Sequence, residues 1–240
     1  MPHSSAAQPR PLIENVPSAP PKTALVVGGS GAFGSRFVEA LSRDGYRVLA
    51  TASSDESAQR IPNVAALRLL LDLENPTSVK TLSSYLAAAE QLDLIVVASG
   101  RVGFGLATST SVQNAERLMR INCLGVVQLI TEAKTALKQG AKLIAITGVV
   151  AARSFPGMSA YSASKAALAS WLNGVRQEWR RDGISVLDAQ PGHTETGLAD
   201  RPLFGEAPSM PLGMKPDAVV ARILSALGTE TQLLRAEDFG

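Results

Sequence analysis

The sequence predicts an α/β fold, a single-domain doubly wound parallel sheet with helices on both faces. Three observations carry that prediction. Short continuous apolar runs, the pattern of strands buried on both faces, alternate with longer stretches whose apolar residues recur at helical spacing. A glycine-rich turn follows the first of those runs directly. Aromatic residues make up only 5% of a chain that is 45% hydrophobic, so Ala, Val, Leu and Ile must build the core, as suits helices packed on a buried sheet. At 240 residues the chain can bury such a core in one domain.

Residues 1–21 form a leader rich in Pro, Ser and Ala that is expected to be disordered, and residues 22–240 form the domain. Thr23 to Val27 reads as the first strand. The turn Gly28-Gly29-Ser30-Gly31-Ala32-Phe33-Gly34 follows, and Phe33, Phe37, Val38 and Leu41 then mark a helix that stops at Gly45. Strand, glycine turn and helix is the setting in which backbone N–H groups and a helix N-terminus receive a pyrophosphate. Arg47 to Thr51 is the second strand. In dinucleotide-binding folds an acidic residue at its end holds the ribose hydroxyls of NAD. Here that end reads Ala52-Ser53-Ser54, with Asp55 coming late, which favours the 2′-phosphorylated cofactor although no arginine stands there to clamp the phosphate. Ser53 and Ser54 either bond that phosphate or serve as turn residues.

Leu67 to Leu71 is a third run and ends at Asp72-Leu73. Asp72 either meets an adenine or caps the helix over residues 76–89, which Pro76 opens. Leu92 to Val97 is the fourth strand and turns at Ala98-Ser99-Gly100. A long helix is expected from Gln113 to Leu137 with Asn122 at its middle, where an asparagine competes for backbone hydrogen bonds and needs a reason. Lys142 to Thr147 is the fifth strand. The helix carrying Tyr161, Leu168, Trp171, Leu172 and Val175 ends at Asp182-Gly183, and Ile184 to Ala189 is the sixth strand. A polar loop, Pro191-Gly192-His193-Thr194-Glu195-Thr196, leaves its end. A helix from Pro216 to Leu227 and an edge strand over residues 231–235 complete the chain. Ligands of such sheets sit at the carboxyl ends of the strands, which gathers the Gly28 turn, Gly100, Thr147, Pro191 and Tyr161 about one crevice.

Tyr161 and Lys165 stand four apart on one helical face. An ammonium held near a phenol lowers a pKa that is otherwise about 10 and makes the pair a proton relay near neutral pH. Other chemistries are excluded by composition. The net charge of +2, with both signs interspersed, gives no basic stripe for nucleic acid. No apolar run is long enough to span a membrane. The single cysteine, Cys123, rules out an intramolecular disulfide, and with only His3 and His193 no metal cluster is expected. A cytoplasmic protein is expected.

The Gly28–Gly34 turn, Asp72-Leu73, Ala98-Ser99-Gly100 in place of an Asn-Ala-Gly segment, Asn122, Tyr161 with Lys165, and Pro191-Gly192 together resemble a short-chain dehydrogenase/reductase of the short single-domain, Rossmann-like type. The resemblance runs from Lys22 to the C-terminus. It implies interconversion of a carbonyl and an alcohol on a small organic substrate, with NADP(H) preferred and NAD(H) as the second choice. Tyr161 would be the general acid or base, Lys165 its activator and a ligand of the nicotinamide ribose, and Asn122 the holder of a water linking Lys165 to solvent. Gly28, Ser30, Gly31, Phe33 and Gly34 would surround the pyrophosphate, and Ser53 would meet the adenosine end. Asp72 and Leu73 would flank the adenine, and Ala98 and Gly100 would pass the ribose. Pro191, Gly192, Thr194 and Thr196 would contact the nicotinamide end. A homodimer or homotetramer is implied, paired through the Asn122 and Tyr161 helices, with Trp171 and Trp179 either at that surface or in the core.

Two departures from the family pattern stand out. The serine usually found near the substrate oxygen falls thirteen residues before Tyr161, where this chain has Gly148. Thr147, Ser154 and Ser159 are the candidate replacements, Thr147 being the nearest. Without any of them a polarising hydrogen bond worth on the order of 3 kcal/mol is missing. The alternative reading is then a cofactor-binding regulatory protein with weak or no turnover. The turn also spaces its glycines as 28, 31 and 34, with Ala32 at the usual middle glycine. That spacing resembles the extended branch, which includes sugar-nucleotide epimerases, yet no long substrate domain follows Pro191.

Overall fold

The computed structural model describes residues 20–240, so the expected leader lies outside the described residues up to position 19. In chain order the elements are β1 (Thr23–Val27), α1 (Ala32–Arg43), β2 (Arg47–Ala52), α2 (Asp55–Ala58), β3 (Leu67–Leu70), α3 (Pro76–Ala89), β4 (Leu92–Val97), α4 (Val112–Met119), α5 (Gly125–Glu132), β5 (Leu137–Ile146), α6 (Ser159–Glu178), β6 (Ser185–Ala189), α7 (Pro216–Ala226) and β7 (Leu233–Leu234). All strands pair in parallel, in the order β3-β2-β1-β4-β5-β6-β7. The predicted fold class is the one observed. The chain walks from β1 out to β3, then returns and continues from β4 on the other side of β1. The reversal lies between β1 and β4, where a parallel sheet opens its ligand crevice.

Alternate residues of one strand feed opposite core layers. Leu25 and Val27 pack with Leu86, Leu129 and Leu172, whereas Ala24 and Val26 pack with Phe37, Leu41 and Ile223. The continuous apolar runs follow from this, because neither face of a central strand meets water. Trp171 and Trp179 are half-buried against the first layer, with the Lys134 ammonium 5.2 Å from the centre of the Trp179 ring.

The long helix expected from Gln113 to Leu137 is observed from Val112 to Glu132, and its C-terminal end is corrected. Its α4 and α5 segments run on through a π turn over Arg120–Leu124 with helical backbone throughout, and after a 3₁₀ turn over Lys134–Ala136 the chain has already entered β5 at Leu137. Ala133, Ala136 and Leu137 are buried in the same layer as α5, so their apolar spacing imitates a continuing helix. The expected edge strand shrinks to Leu233 and Leu234, paired with Asp188 and Ala189 of β6.

Candidate active site

The carboxyl ends of β1, β2, β4, β5 and β6 and the start of α1 border one cleft of about 1150 Å³. That exceeds the roughly 300–1000 Å³ of sites for drug-sized ligands and leaves room for a dinucleotide beside a second molecule. Gly28, Ser30, Gly31, Phe33, Ser53, Asp72, Leu73, Ala98, Gly100, Thr147, Tyr161, Lys165, Pro191, Gly192, Thr194 and Thr196 all line it, and Gly34 and Asn122 do not.

At the β1 end, Gly28 has φ +84° and a Cβ there would come within 2.9 Å of the Ser99 backbone, so only glycine allows β1 and β4 to turn side by side. A Cβ on Gly34 would stand 2.0 Å from the Gly28 carbonyl. Gly34 therefore lets α1 rest on the turn from beneath, and its expected contact with a pyrophosphate is corrected to this packing role. Gly31 is the N-cap of the 12-residue α1, and no side chain among the described residues caps it. The next two residues, Ala32 and Phe33, line the cleft. An uncapped helix start with unpaired N–H groups at a cleft wall fits a pyrophosphate.

At the β2 and β3 ends, Ser53 is exposed in the cleft, while the Ser54 side chain is engaged in capping α2 through the Ser57 N–H. The cap of α3 is Asn75, whose Oδ1 accepts from the Thr77 N–H at 2.9 Å. Asp72 instead accepts from the Glu74 N–H at 2.9 Å and remains exposed on the cleft wall.

Asn122 sits in the π turn and is 1% exposed. Its Oδ1 accepts the Arg101 N–H at 2.8 Å, and its Nδ2 donates to the Arg101 carbonyl at 2.8 Å and to Ser164 Oγ at 2.9 Å. The amide thus clamps the loop after β4 to α6. Both amide N–H groups are used in this clamp, and Oδ1 accepts one of the two hydrogen bonds it can take.

Lys165 is 4% exposed and donates from Nζ to the Ile146 carbonyl at 3.1 Å. A Cβ on Gly100 would lie 3.0 Å from that Nζ, which explains a glycine at the β4 exit. Burial pulls the ammonium down to about 8, against the opposing pull of Asp188 and Cys123. Tyr161 is 9% exposed within an apolar cluster that includes Val102, Phe104 and Val150, and burial pushes its phenol up to about 12. The expectation that Lys165 lowers the phenol is therefore corrected, because burial dominates Tyr161 and the ammonium is held toward β5.

Thr147 is 1% exposed, and its hydroxyl donates to Asp188 Oδ1 at 2.5 Å while Gln190 Nε2 donates to Oδ2 at 2.8 Å. Its single proton is directed at β6, so Thr147 is corrected from a substrate-polarising donor to a partner of Asp188. Ser154 and Ser159 lie outside the cleft lining, and Gly148 borders the cleft with φ +79° and ψ 163°. After β6, Thr194 bridges Met214, and the Thr194 hydroxyl donates to the Gly192 carbonyl at 3.0 Å. The Thr196 hydroxyl oxygen accepts the Leu198 N–H at 3.3 Å. His193 Nε2 lies 3.3 Å from Glu195 Oε1, which also accepts the Gly213 N–H at 2.6 Å.

The loops over residues 101–110, 153–159 and 194–211 are expected from the sequence to set the substrate, but that expectation does not single out their apolar lining residues Val102, Phe104, Phe155, Met158, Leu198 and Leu203. The available signal was large apolar residues inside glycine- and proline-marked loops, where a solvated loop would have none. No group of three or more metal-ligating side chains occurs among the described residues, and no helix there is long and apolar enough to cross a membrane.

A family model described as short chain dehydrogenase matches residues 22–202. The chain is 27% identical over 227 residues to the oxidoreductase YbbO of Escherichia coli K12, covering 89% of this chain and 84% of that protein. It is 30% identical over 178 residues to the cyclic-di-GMP-binding biofilm dispersal mediator protein of the same organism, covering 73% and 74%. A short chain dehydrogenase from Burkholderia cenocepacia J2315, solved in complex with NADP, superposes with a TM-score of 0.78 at 26% identity over 91% of this chain and 98% of that one.

Proposed function

The chain belongs to the short-chain dehydrogenase family, and from that premise we propose that it is an NADP(H)-dependent oxidoreductase interconverting a carbonyl and an alcohol on a small organic molecule. One observation carries the reading: Tyr161 and Lys165 line the same cleft as the uncapped start of α1 and the Gly28 turn. The cofactor, when bound, supplies or accepts the hydride. The chain supplies the proton. A phenol held near 12 is protonated throughout the physiological range, which suits Tyr161 to donating to the oxygen of a carbonyl being reduced. Lys165, charged below about 8, is the cationic neighbour and a hydrogen-bond donor for the ribose. Asn122 is a positioning residue, fixing the Gly100–Arg101 backbone against Lys165. Ser30, Gly31 and Phe33 receive the pyrophosphate, Asp72 and Leu73 the adenine, Ala98 and Gly100 the ribose, and Pro191, Gly192, Thr194 and Thr196 the nicotinamide end.

Tyr161→Phe is expected to lower kcat/KM by at least about 100-fold, the usual scale for losing a general acid, with the NADPH dissociation constant within about twofold. Equal activity in variant and parent would remove the residue from that role. Preference for NADP(H) is supported by the exposed Ser53 hydroxyl where NAD-binding sites carry a carboxylate, and by the NADP-bound structural relative. NADPH is expected to bind at least about tenfold tighter than NADH, a ratio equivalent to 1.4 kcal/mol, and tighter NADH binding in the same titration would reverse the assignment. A cytoplasmic location, residues 22–240 as one functional unit, and a homodimer or homotetramer are part of the proposal by resemblance.

A second reading, a cofactor-binding regulatory protein with weak turnover, is favoured by one feature: Gly148 offers no hydroxyl and Thr147 points its own at Asp188. The relative named as a dispersal mediator fits the same reading. NADPH binding without oxidation over a broad carbonyl panel would select it.

A further inference from the structure

The end of the cleft around Tyr161 is built differently from the rest. Three loops meet there, one leaving each of β4, β5 and β6, and their side chains form a single apolar cluster about the phenol ring. Val102, Phe104 and Val150 are 3%, 5% and 8% exposed although none lies in a strand. The loops are joined by their backbones: Leu203 N–H donates to the Val102 carbonyl at 2.8 Å, Phe104 N–H to the Phe204 carbonyl at 3.0 Å, and Gly105 N–H to the Gly157 carbonyl at 2.8 Å. Gly103 permits this closure, since a Cβ there would stand 2.3 Å from the Phe204 ring. The Arg153 guanidinium lies 5.3 Å from the centre of the Phe155 ring and steadies the outer edge.

Hydrogen-bonding side chains beside the phenol are few, and most are turned to protein partners, whereas the unpartnered Ser99 Oγ belongs to the Gly28 end of the cleft. Gly148 has no hydroxyl, the Thr147 hydroxyl donates to Asp188, the Thr194 hydroxyl donates to the Gly192 carbonyl, and the Thr196 hydroxyl accepts the Leu198 N–H and keeps one proton to give. Arg101, Glu195, Asp200, Arg201 and Ser209 also border the cleft, but all five are exposed and belong to its solvent rim, where the half-buried His193 pairs with Glu195. A substrate seated against the wall therefore finds hydrocarbon on its flanks and the phenol at its oxygen. A hydroxyl on each neighbouring carbon, as in a sugar, would be stripped of water with too few groups to replace it.

We propose that the substrate carries its carbonyl on a hydrocarbon body, as an alkyl or aryl ketone or aldehyde, and not on a sugar or polyol. This rests on the oxidoreductase reading for the chemistry, but the recognition belongs to the wall itself. The test measures kcat/KM with NADPH for straight-chain aldehydes and 2-ketones of increasing length, beside glyceraldehyde and dihydroxyacetone. Specificity is expected to rise about fourfold per methylene until the chamber is filled, and the polyols to fall at least about 100-fold below the best alkyl substrate. A flat series, or a preference for the polyols, overturns the proposal. Leu198→Asn, which places an amide in the wall, is expected to lower kcat/KM for the longest substrate about tenfold while leaving the NADPH dissociation constant unchanged; unaltered chain-length selectivity counts against the wall. If no carbonyl is reduced at all, that failure falls on the redox reading, and calorimetric binding of straight-chain alcohols to the NADPH-loaded protein decides the recognition. Affinity that climbs with each methylene sustains the proposal, and affinity independent of length overturns it.

Discussion

Gly148 shows how much one position can alter a site. Its φ of +79° and ψ of 163° are open to glycine and strained for other residues. The serine common in the family is thus not merely absent, because the backbone here has taken a path a serine would resist. Gly148→Ser is expected to lower stability by about 1–3 kcal/mol, read from a urea unfolding midpoint, and to leave kcat no higher. A tenfold gain in kcat would instead show that the missing hydroxyl limits the reaction. The Tyr161–Lys165 pair was legible in the sequence because i, i+4 residues share a helical face regardless of the rest of the fold. The Thr147 hydroxyl was not. Its direction is set by Asp188, a residue 41 positions away that the pairing of β5 with β6 brings alongside.

Among the elements, the segment from α4 through the π turn to α5 carries the clearest physical lesson. An asparagine inside an apolar helix announced that something there needed an amide, and the sequence stopped at that point. The widened turn answers it by aiming Asn122 at both polar groups of the Arg101 backbone. Asn122→Leu would take the partner from that part-buried N–H and carbonyl at a cost of about 1–3 kcal/mol, the scale for an unsatisfied group. Guanidinium or urea unfolding measures it, and a loss below about 1 kcal/mol would mean that the clamp is not structural. The NADPH dissociation constant is expected to rise in the same variant as Gly100 loosens against Lys165. The end of the helix escaped prediction because buried Ala133 and Ala136 extend the apolar spacing into the 3₁₀ turn and β5. A helix period cannot tell a helix from a buried turn that happens to share it.

For the whole molecule, two buried groups set a pH signature. Lys165 is held at about 8 against the ordinary 10.5, so between those values the unfolded chain binds more protons and stability rises with pH. Tyr161 is held at about 12 against the ordinary 10.0, so between those values the folded chain binds more protons and stability falls with pH. Lys165→Met removes the first effect and keeps the second. Between pH 7 and 10 the parent should therefore gain stability relative to the variant, as judged by paired melting temperatures, and parallel curves would refute the assignment. At this scale the sheet and the position of its crevice were readable, because strand runs and a topological reversal are written in local pattern. The chamber around the phenol was not, since it is assembled from loops whose only common property is that they meet.

The lacing of those loops has an evolutionary consequence. Leu203 and Phe204 answer Val102 and Phe104 amide by amide, and Gly105 answers Gly157, so each crossover is cut to the shape of the others. Transplanting one from a cousin with a different appetite would leave the remaining two with unmatched edges. Selectivity in this chain is thus a joint property of three loops laced to one another.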